Sequence, residues 1–193
     1  MTRGGAVILQ LPEASTPGDP GPDLWLGWNA TQIGGLTQCP PSNVQEDWPL
    51  IAQELANNGI LDRETAAGAI GTIAMETAHT FKPVREAFWL SEEWRRLNLW
   101  YWPYYGRGHL QITHRYNYEA LGVAVGVDLV NDPDRALETW ISAVGLANFF
   151  ASHNIHVVAR AHNWTEVRRR VLGASPSDQV AYLTRIAETL ISS

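Results

Sequence analysis

From Trp48 onward, apolar residues recur at helical spacing through most of the chain. Trp48-Pro49-Leu50-Ile51-Ala52-Gln53-Glu54-Leu55-Ala56-Asn57-Asn58-Gly59 gathers them on one face of an amphipathic helix. Asp47 is placed to cap it, Pro49 falls in its first turn and Gly59 stops it. Asp62-Arg63-Glu64-Thr65 reads as the capped start of a second helix, running from Ala66 to Glu76. That stretch is apolar on nearly every side until Glu76, and such a helix belongs in a core. Gly68 and Gly71 weaken it as a helix but admit a close neighbour. The periodicity breaks over 79–106, around Pro83 and Pro103; a short helix near 90–98 and strand or hairpin character from Trp100 to Tyr105 are expected. Beyond Pro133 the pattern predicts a helix through Trp140–Ser152, then closing helices over Thr165–Leu172 and Pro176–Ile191. Asn29–Asn43 reads as turn-rich and irregular. No strand–helix alternation that would build a parallel sheet is present. The fold class expected is α+β, predominantly α-helical.

Composition adds boundaries. Residues 12–23 are proline- and glycine-rich, the composition of a linker with nothing to bury. The organisation expected is therefore 1–28 as leader and linker and 29–193 as one folded domain, cut from a longer protein. The net charge of −6 excludes the basic face that phosphate neutralisation requires, so no nucleic-acid partner is expected. The run Arg168-Arg169-Arg170 is the local exception and reads as a solvated helix face. Cys39 is the single cysteine, which rules out an intrachain disulfide and fits folding in a reducing compartment. The apolar run Ala6-Val7-Ile8-Leu9 is too short to cross a membrane or to serve as a secretory signal. A monomer is expected.

The densest chemistry lies in Tyr104-Tyr105-Gly106-Arg107-Gly108-His109-Leu110-Gln111-Ile112-Thr113-His114-Arg115-Tyr116-Asn117-Tyr118. Its two glycines permit a tight turn and close approach to a ligand. Gln111, Thr113 and Asn117 offer uncharged hydrogen-bonding groups and the tyrosines offer flat amphipathic faces, a surface suited to a polyhydroxylated, acetamido-bearing chain. The competing account is a glycine-rich turn beside an aromatic core patch. Upstream, Glu76 ends the apolar helix beside Ile73, Met75 and Phe81. Desolvation there would favour its neutral form, as a general acid for glycoside hydrolysis requires. Glu86 follows across Phe81 and Pro83 and is the candidate general base, unless it merely pairs with Arg85 or Arg107. Glu92 and Glu93 are rivals, although Arg95 and Arg96 on the same short helix account for them as ion pairs. His153, His156 and His162 are spaced as zinc ligands could be, but no carboxylate joins them; neither metal nor cofactor is expected.

Tyr105-Gly106-Arg107-Gly108-x-x-Gln111-Ile112-Thr113-His114-x-x-Asn117-Tyr118 resembles the signature of glycoside hydrolase family 19, the plant-type chitinases and related bacterial and phage lysins. The likeness continues through Ala124-Val125-Gly126-Val127-Asp128-Leu129-Val130-Asn131-Asp132-Pro133-Asp134. It is nearest to the central glycosidase domain of mycobacteriophage lysin A endolysins, supported by Arg85-Glu86-Ala87, Leu90-Ser91-Glu92-Glu93-Trp94-Arg95 and Val167-Arg168-Arg169-Arg170-Val171. The resemblance implies a lysozyme-like, two-lobed fold with a substrate cleft. It implies catalysis by Glu76, Glu86 and Thr113: Glu76-Thr77 matches the Glu-Thr of a His-Glu-Thr motif, with Met75 in place of the His, and Thr113 matches a hydroxyl that helps to hold the attacking water. Tyr105, Arg107, Gln111 and Asn117 would bind substrate. Hydrolysis would invert the anomeric centre, with the carboxylates roughly 6.5–9.5 Å apart. One departure stands out: Leu172-Gly173-Ala174 occupies the place of an Asn-Gly-Gly, which removes a sugar hydrogen bond and leaves room for a changed substrate. By the same resemblance the partner is a peptidoglycan glycan strand. The protein would be made in a bacterial host cytoplasm, released to the wall by a holin and tethered to other lysin domains.

Overall fold

The computed structural model describes residues 23–193. The leader and most of the linker, residues 1–22, lie outside that range. Residues 23–28 do not behave as a linker: Trp28 is buried, its indole N–H donates to the Leu190 carbonyl (2.9 Å), and Leu24, Trp25 and Leu26 pack on the core. The folded body therefore begins ahead of residue 29.

Helices dominate. They are α1 (Ala30–Thr37), α2 (Pro41–Asn57), α3 (Arg63–Glu76), α4 (Glu92–Asn98), α5 (Arg115–Val125), α6 (Thr139–Ser152), α7 (Ile155–Arg160), α8 (Trp164–Leu172) and α9 (Ser177–Ile191), with a 3-10 turn at Pro133–Leu137. Helix α1 lies in the stretch expected to be irregular. The Asn29 side chain caps it by accepting from the Gln32 N–H (3.0 Å), and burial of Ala30 and Ile33 outweighs the poor propensity of Gly34 and Gly35. Helix α2 likewise starts earlier than its periodicity suggests, at Pro41, where a missing N–H costs nothing. Asp47 is thus not a cap but a fully buried carboxylate inside the helix, and Pro49 sits mid-helix. Helix α3 forms as read: Asp62 accepts from the Thr65 N–H (2.7 Å), and Ala66, Ala67, Ala69, Ile70, Ile73 and Ala74 are fully buried. A Cβ on Gly71 would stand 2.6 Å from Leu183 Cδ1, so glycine here lets α9 pack closely without displacing the Leu183 side chain.

The strands lie outside Trp100–Tyr105, which forms turns. Strand β1 (Val84–Arg85) pairs antiparallel with β2 (Arg107–Gly108), Val84 opposite Gly108 and Arg85 opposite Arg107. Two apolar clusters result. The larger gathers α1–α3 and α6–α9; the smaller comprises Tyr118, Leu121, Leu129, Ala136 and Ile141, with Tyr104 and Ile112 against it. Helix α6 serves both, which yields the expected two lobes. Among the described residues no helix is long and apolar enough to cross a membrane.

A buried polar chain fastens the hairpin to the larger lobe. The His109 backbone N–H donates to Ser142 Oγ (2.7 Å), that hydroxyl meets His109 Nδ1 (2.8 Å), and His109 Nε2 faces Asp47 Oδ2 (3.2 Å). Lys82 Nζ closes the chain on Asp47 Oδ1 (2.7 Å). The trio has the residue types of a serine hydrolase. Yet Asp47 and His109 are fully buried, Ser142 nearly so, and none of them lines the groove described next. Its role is therefore to hold the fold.

Candidate active site

Glu76 and Glu86 line one cavity of about 640 Å³, together with Tyr101, Gln111, Thr113 and Leu172. A cavity of about 440 Å³ shares both glutamates and Gln111 and runs on past His79 toward Trp89. Another, of about 370 Å³, shares Gln111 and Thr113 and reaches Asn117. The shared walls make these one open groove. The backbone along it is unusual. Ala78, His79, Ala87, Gln111 and His114 all line these cavities and all have left-handed φ, between 48° and 71°. Such conformations cost energy for residues with a Cβ and gather where a site demands them.

Glu76 is the last residue of α3. Its surroundings are not the purely apolar ones read from Ile73, Met75 and Phe81. Arg168 Nη1 donates to Glu76 Oε1 at 2.6 Å, and Arg168 Nε donates to Gln179 Oε1 at 2.8 Å. The Arg168 side chain is only 3% exposed and that of Glu76 14%. Arg168 therefore departs from the solvated cluster in which the sequence places it. Arg169 and Arg170 do face solvent and bind Glu166, whose carboxyl is pulled down to about 2, chiefly by Arg169 and then by Arg170. A signal for Arg168 exists in the pattern: Trp164, Val167, Arg168 and Val171 fall at i, i+3, i+4 and i+7, so Arg168 is the one charged member of the apolar stripe of α8.

Glu86 directly follows β1. Its N–H donates to the Gly106 carbonyl (2.7 Å), its Oε2 accepts from the Gly106 N–H (2.9 Å) and its Oε1 accepts from the Tyr101 hydroxyl (2.7 Å). Both carboxylate oxygens are thus fixed in direction. Burial, and then Glu86, push the Tyr101 hydroxyl up to about 12, so it remains a donor over the working range of any enzyme. Glu86 pairs with neither Arg85 nor Arg107; both bind Asp134 instead (each 2.8 Å). Glu93 is an exposed ion pair with Arg96 (2.7 Å). Glu92 accepts from the Tyr105 hydroxyl (2.8 Å), the Trp102 indole (2.9 Å) and Arg95 (3.3 Å). Neither rival lines the cavity that holds Glu76 and Glu86.

The signature segment divides in two. Gln111, Thr113 and Asn117 reach the groove. Gln111 Nε2 donates to the Val84 and Gly108 carbonyls (2.8 and 3.0 Å), Thr113 Oγ1 to the Gln111 carbonyl (2.9 Å), and Asn117 Nδ2 to the Thr113 carbonyl (2.7 Å). Tyr105 and Arg107, expected to touch substrate, do not reach it. Both are buried: Arg107 lies over the Tyr105 ring (3.7 Å to its centroid) and bonds Asp134, the Pro103 carbonyl and the Tyr118 hydroxyl. These partners hold the guanidinium inward, against the smaller lobe. In their stead the cavity wall carries His114 and Tyr116, stacked with ring centroids 5.7 Å apart, and Trp100 packs beside His114 at 5.7 Å. Trp100 is 85% exposed, and flat faces of this kind suit the apolar sides of pyranose rings. The three histidines spaced as zinc ligands diverge: His153 stacks on Phe149 at the edge of the groove, His156 meets the Phe150 carbonyl and His162 pairs with Glu188.

Residues 76–167 match the family model for class I chitinases, glycoside hydrolase family 19. Chitinase 11 of Oryza sativa subsp. japonica is 66% identical over 32 residues, 17% of this chain and 12% of the rice protein. The basic endochitinase of Vitis vinifera is 64% identical over 31 residues, 16% of this chain and 10% of that protein. The match thus spans about a tenth of the length of these relatives. A crystal structure of a chitinase C mutant superposes with a TM-score of 0.64 at 16% identity, covering 84% of this chain and 91% of that one, which shows a shared fold. The segment that matches glycoside hydrolase family 19 begins at Glu76 and encloses Glu86, Gln111, Thr113 and Asn117, so the family likeness falls on the residues that line the groove.

Proposed function

We propose that the protein hydrolyses β-1,4 glycosidic bonds in an N-acetylhexosamine polymer, and that the polymer is bacterial peptidoglycan. One observation carries the first half: two glutamates and a threonine hydroxyl face a single open groove. In this scheme Glu76 delivers a proton to the leaving glycosidic oxygen. Glu86 accepts a proton from a water that attacks the anomeric carbon from the opposite face, and Thr113 helps to hold that water. The Tyr101 hydroxyl and the Gly106 N–H keep Glu86 aimed. A single displacement of this kind inverts the anomeric configuration.

Peptidoglycan is favoured by the groove wall at Leu172 and Gly173, where the resembling chitinases carry an amide side chain. Leu172 is 45% exposed and presents an apolar face in place of that amide, a difference that suits a sugar bearing the lactyl ether of muramic acid. In keeping with that substrate, the protein acts as the glycosidase domain of a phage endolysin, a muramidase made in the host cytoplasm and admitted to the wall by a holin. Chitin is the second reading, supported by the chitinase relatives. The test is Glu76→Gln, purified and checked for native circular dichroism, then assayed for reducing-sugar release from peptidoglycan and from chitin oligosaccharides. Activity is expected to vanish on whichever polymer the native protein cleaves. Undiminished release by the variant would remove Glu76 from the mechanism, and release from chitin alone would remove peptidoglycan.

A further inference from the structure

On the far side of β1 from the groove lies a cavity of about 500 Å³, lined by Val84, Arg85, Phe88, Glu92, Arg95 and Asp134. Val84, Arg85 and Phe88 also line the groove beside Glu86, so the strand and the Phe88 ring form the wall between the two spaces. The charged groups of this cavity differ in what they have left to give. Glu92 is occupied by Tyr105, Trp102 and Arg95. Arg95 donates to the carbonyls of Glu86, Ala87 and Leu90 as well as to Glu92, and its side chain is only 5% exposed. Asp134 holds Arg85 on one oxygen and Arg107 on the other. The Arg85 side chain makes one direct hydrogen bond among the described residues, from Nη2 to Asp134, with the Tyr105 hydroxyl as a weaker second neighbour, and is 39% exposed. Its Nε and Nη1 are therefore available, and a guanidinium with a free edge is the side chain best shaped for a carboxylate. Phe88, 41% exposed, adds an apolar wall.

We propose that this cavity receives the stem peptide of a peptidoglycan strand lying in the groove, with Arg85 taking one of the peptide's carboxylates. The proposal rests on peptidoglycan being the substrate. Alternate sugars of that polymer carry a lactyl ether from which a short, carboxylate-rich peptide projects sideways. A strand seated across Glu76 and Glu86 would carry such a peptide over Phe88. Chitin has no such branch, so the cavity is a specificity device: it adds affinity for peptide-bearing strands and contributes nothing toward unsubstituted ones.

The experiment compares the native protein, Arg85→Gln and Arg85→Lys on soluble peptide-bearing glycan strands, on the same strands stripped of peptide by an amidase, and on chitin oligosaccharides. Thermal melts confirm that the variants fold. The native protein is expected to show a kcat/KM about tenfold higher on peptide-bearing than on stripped strands, mostly through KM. Arg85→Gln should lose that preference, its kcat/KM on peptide-bearing strands falling to its own value on stripped strands, and Arg85→Lys should keep part of it. No preference in the native protein, a preference that survives in Arg85→Gln, or an equal loss on both kinds of strand would overturn the inference and leave the substrate reading standing. Cleavage of chitin alone would overturn both.

Discussion

Replacing Arg168 with leucine tests how far the chemistry depends on a single buried ion pair. Leucine suits the apolar stripe of α8, so the change removes the charge with little loss of packing. Removing one partner of a fully buried pair costs about 3–5 kcal/mol, because the other charge is left without compensation. Here Glu76 borders the groove and is 14% exposed, so water there can take part of the lost role. The expected cost is accordingly lower, about 2–3 kcal/mol. With an m-value of about 1–3 kcal/mol/M for small proteins, the urea midpoint should fall by roughly 1 M or more. Combining Arg168→Leu with Glu76→Gln should recover most of that loss, since no carboxylate is then stranded. The four proteins form a double-mutant cycle whose coupling energy isolates the pair. Circular dichroism against urea gives the stabilities, and reducing-sugar release gives the activities. A coupling energy under about 0.5 kcal/mol, within the additivity of independent sites, would refute the claim that Arg168 and Glu76 depend on each other.

Other consequences can be checked alongside. Asp47→Asn should cost about 2–4 kcal/mol, because Lys82 can turn to Glu46 and to solvent while His109 stays buried; a thermal melt should show a drop of several degrees, and an unchanged melting temperature would deny the buried chain its structural role. Tyr101→Phe removes one of the two donors that aim Glu86; about 1.5–3 kcal/mol for a bond to a charged group predicts a 10- to 100-fold loss of kcat with stability nearly unchanged. For acid stability the sign follows from Asp134 and Glu92. Burial alone would raise each carboxyl, but Arg85 and Arg107 around Asp134, and Trp102, Tyr105 and Arg95 around Glu92, bring both below their ordinary values. Their stabilisation is therefore complete only above about pH 5, clear of both ordinary values, and fades as pH falls through the lowered folded values, so a stability that rises on acidification below about pH 4 would contradict it.

The parts of this fold that were legible in the sequence share a physical reason. Helix α3 has a capping aspartate, an unbroken apolar run and glycines where a neighbour must approach, so local and tertiary preferences agree. Helix α1 was hidden because its stability comes from packing against residues far along the chain, while Gly34 and Gly35 argue locally against it. The two glutamates were readable from their positions around a broken apolar helix and by family likeness. Tyr105 and Arg107 were misplaced because a motif does not say which side of a two-residue strand faces out. The inward turn is set by Asp134 and Tyr118, which the sequence holds well apart from Arg107. Arg168 erred in the opposite direction: three consecutive arginines suggest one solvated face, whereas successive helical positions point in three directions.

Glu76 ends a helix rooted in the larger apolar cluster, whereas Glu86 is held by a two-stranded sheet set between the two, with Leu110 in the larger cluster and Ile112 against the smaller. The proposed acid and base thus belong to different bodies, joined chiefly through α6 and a few buried polar contacts. Their separation is a property of how those bodies rest against each other. A small relative displacement would detune proton delivery from water attack while every helix stayed formed, so catalytic competence is the more fragile of the two and should fail in mild denaturant well before the fold does.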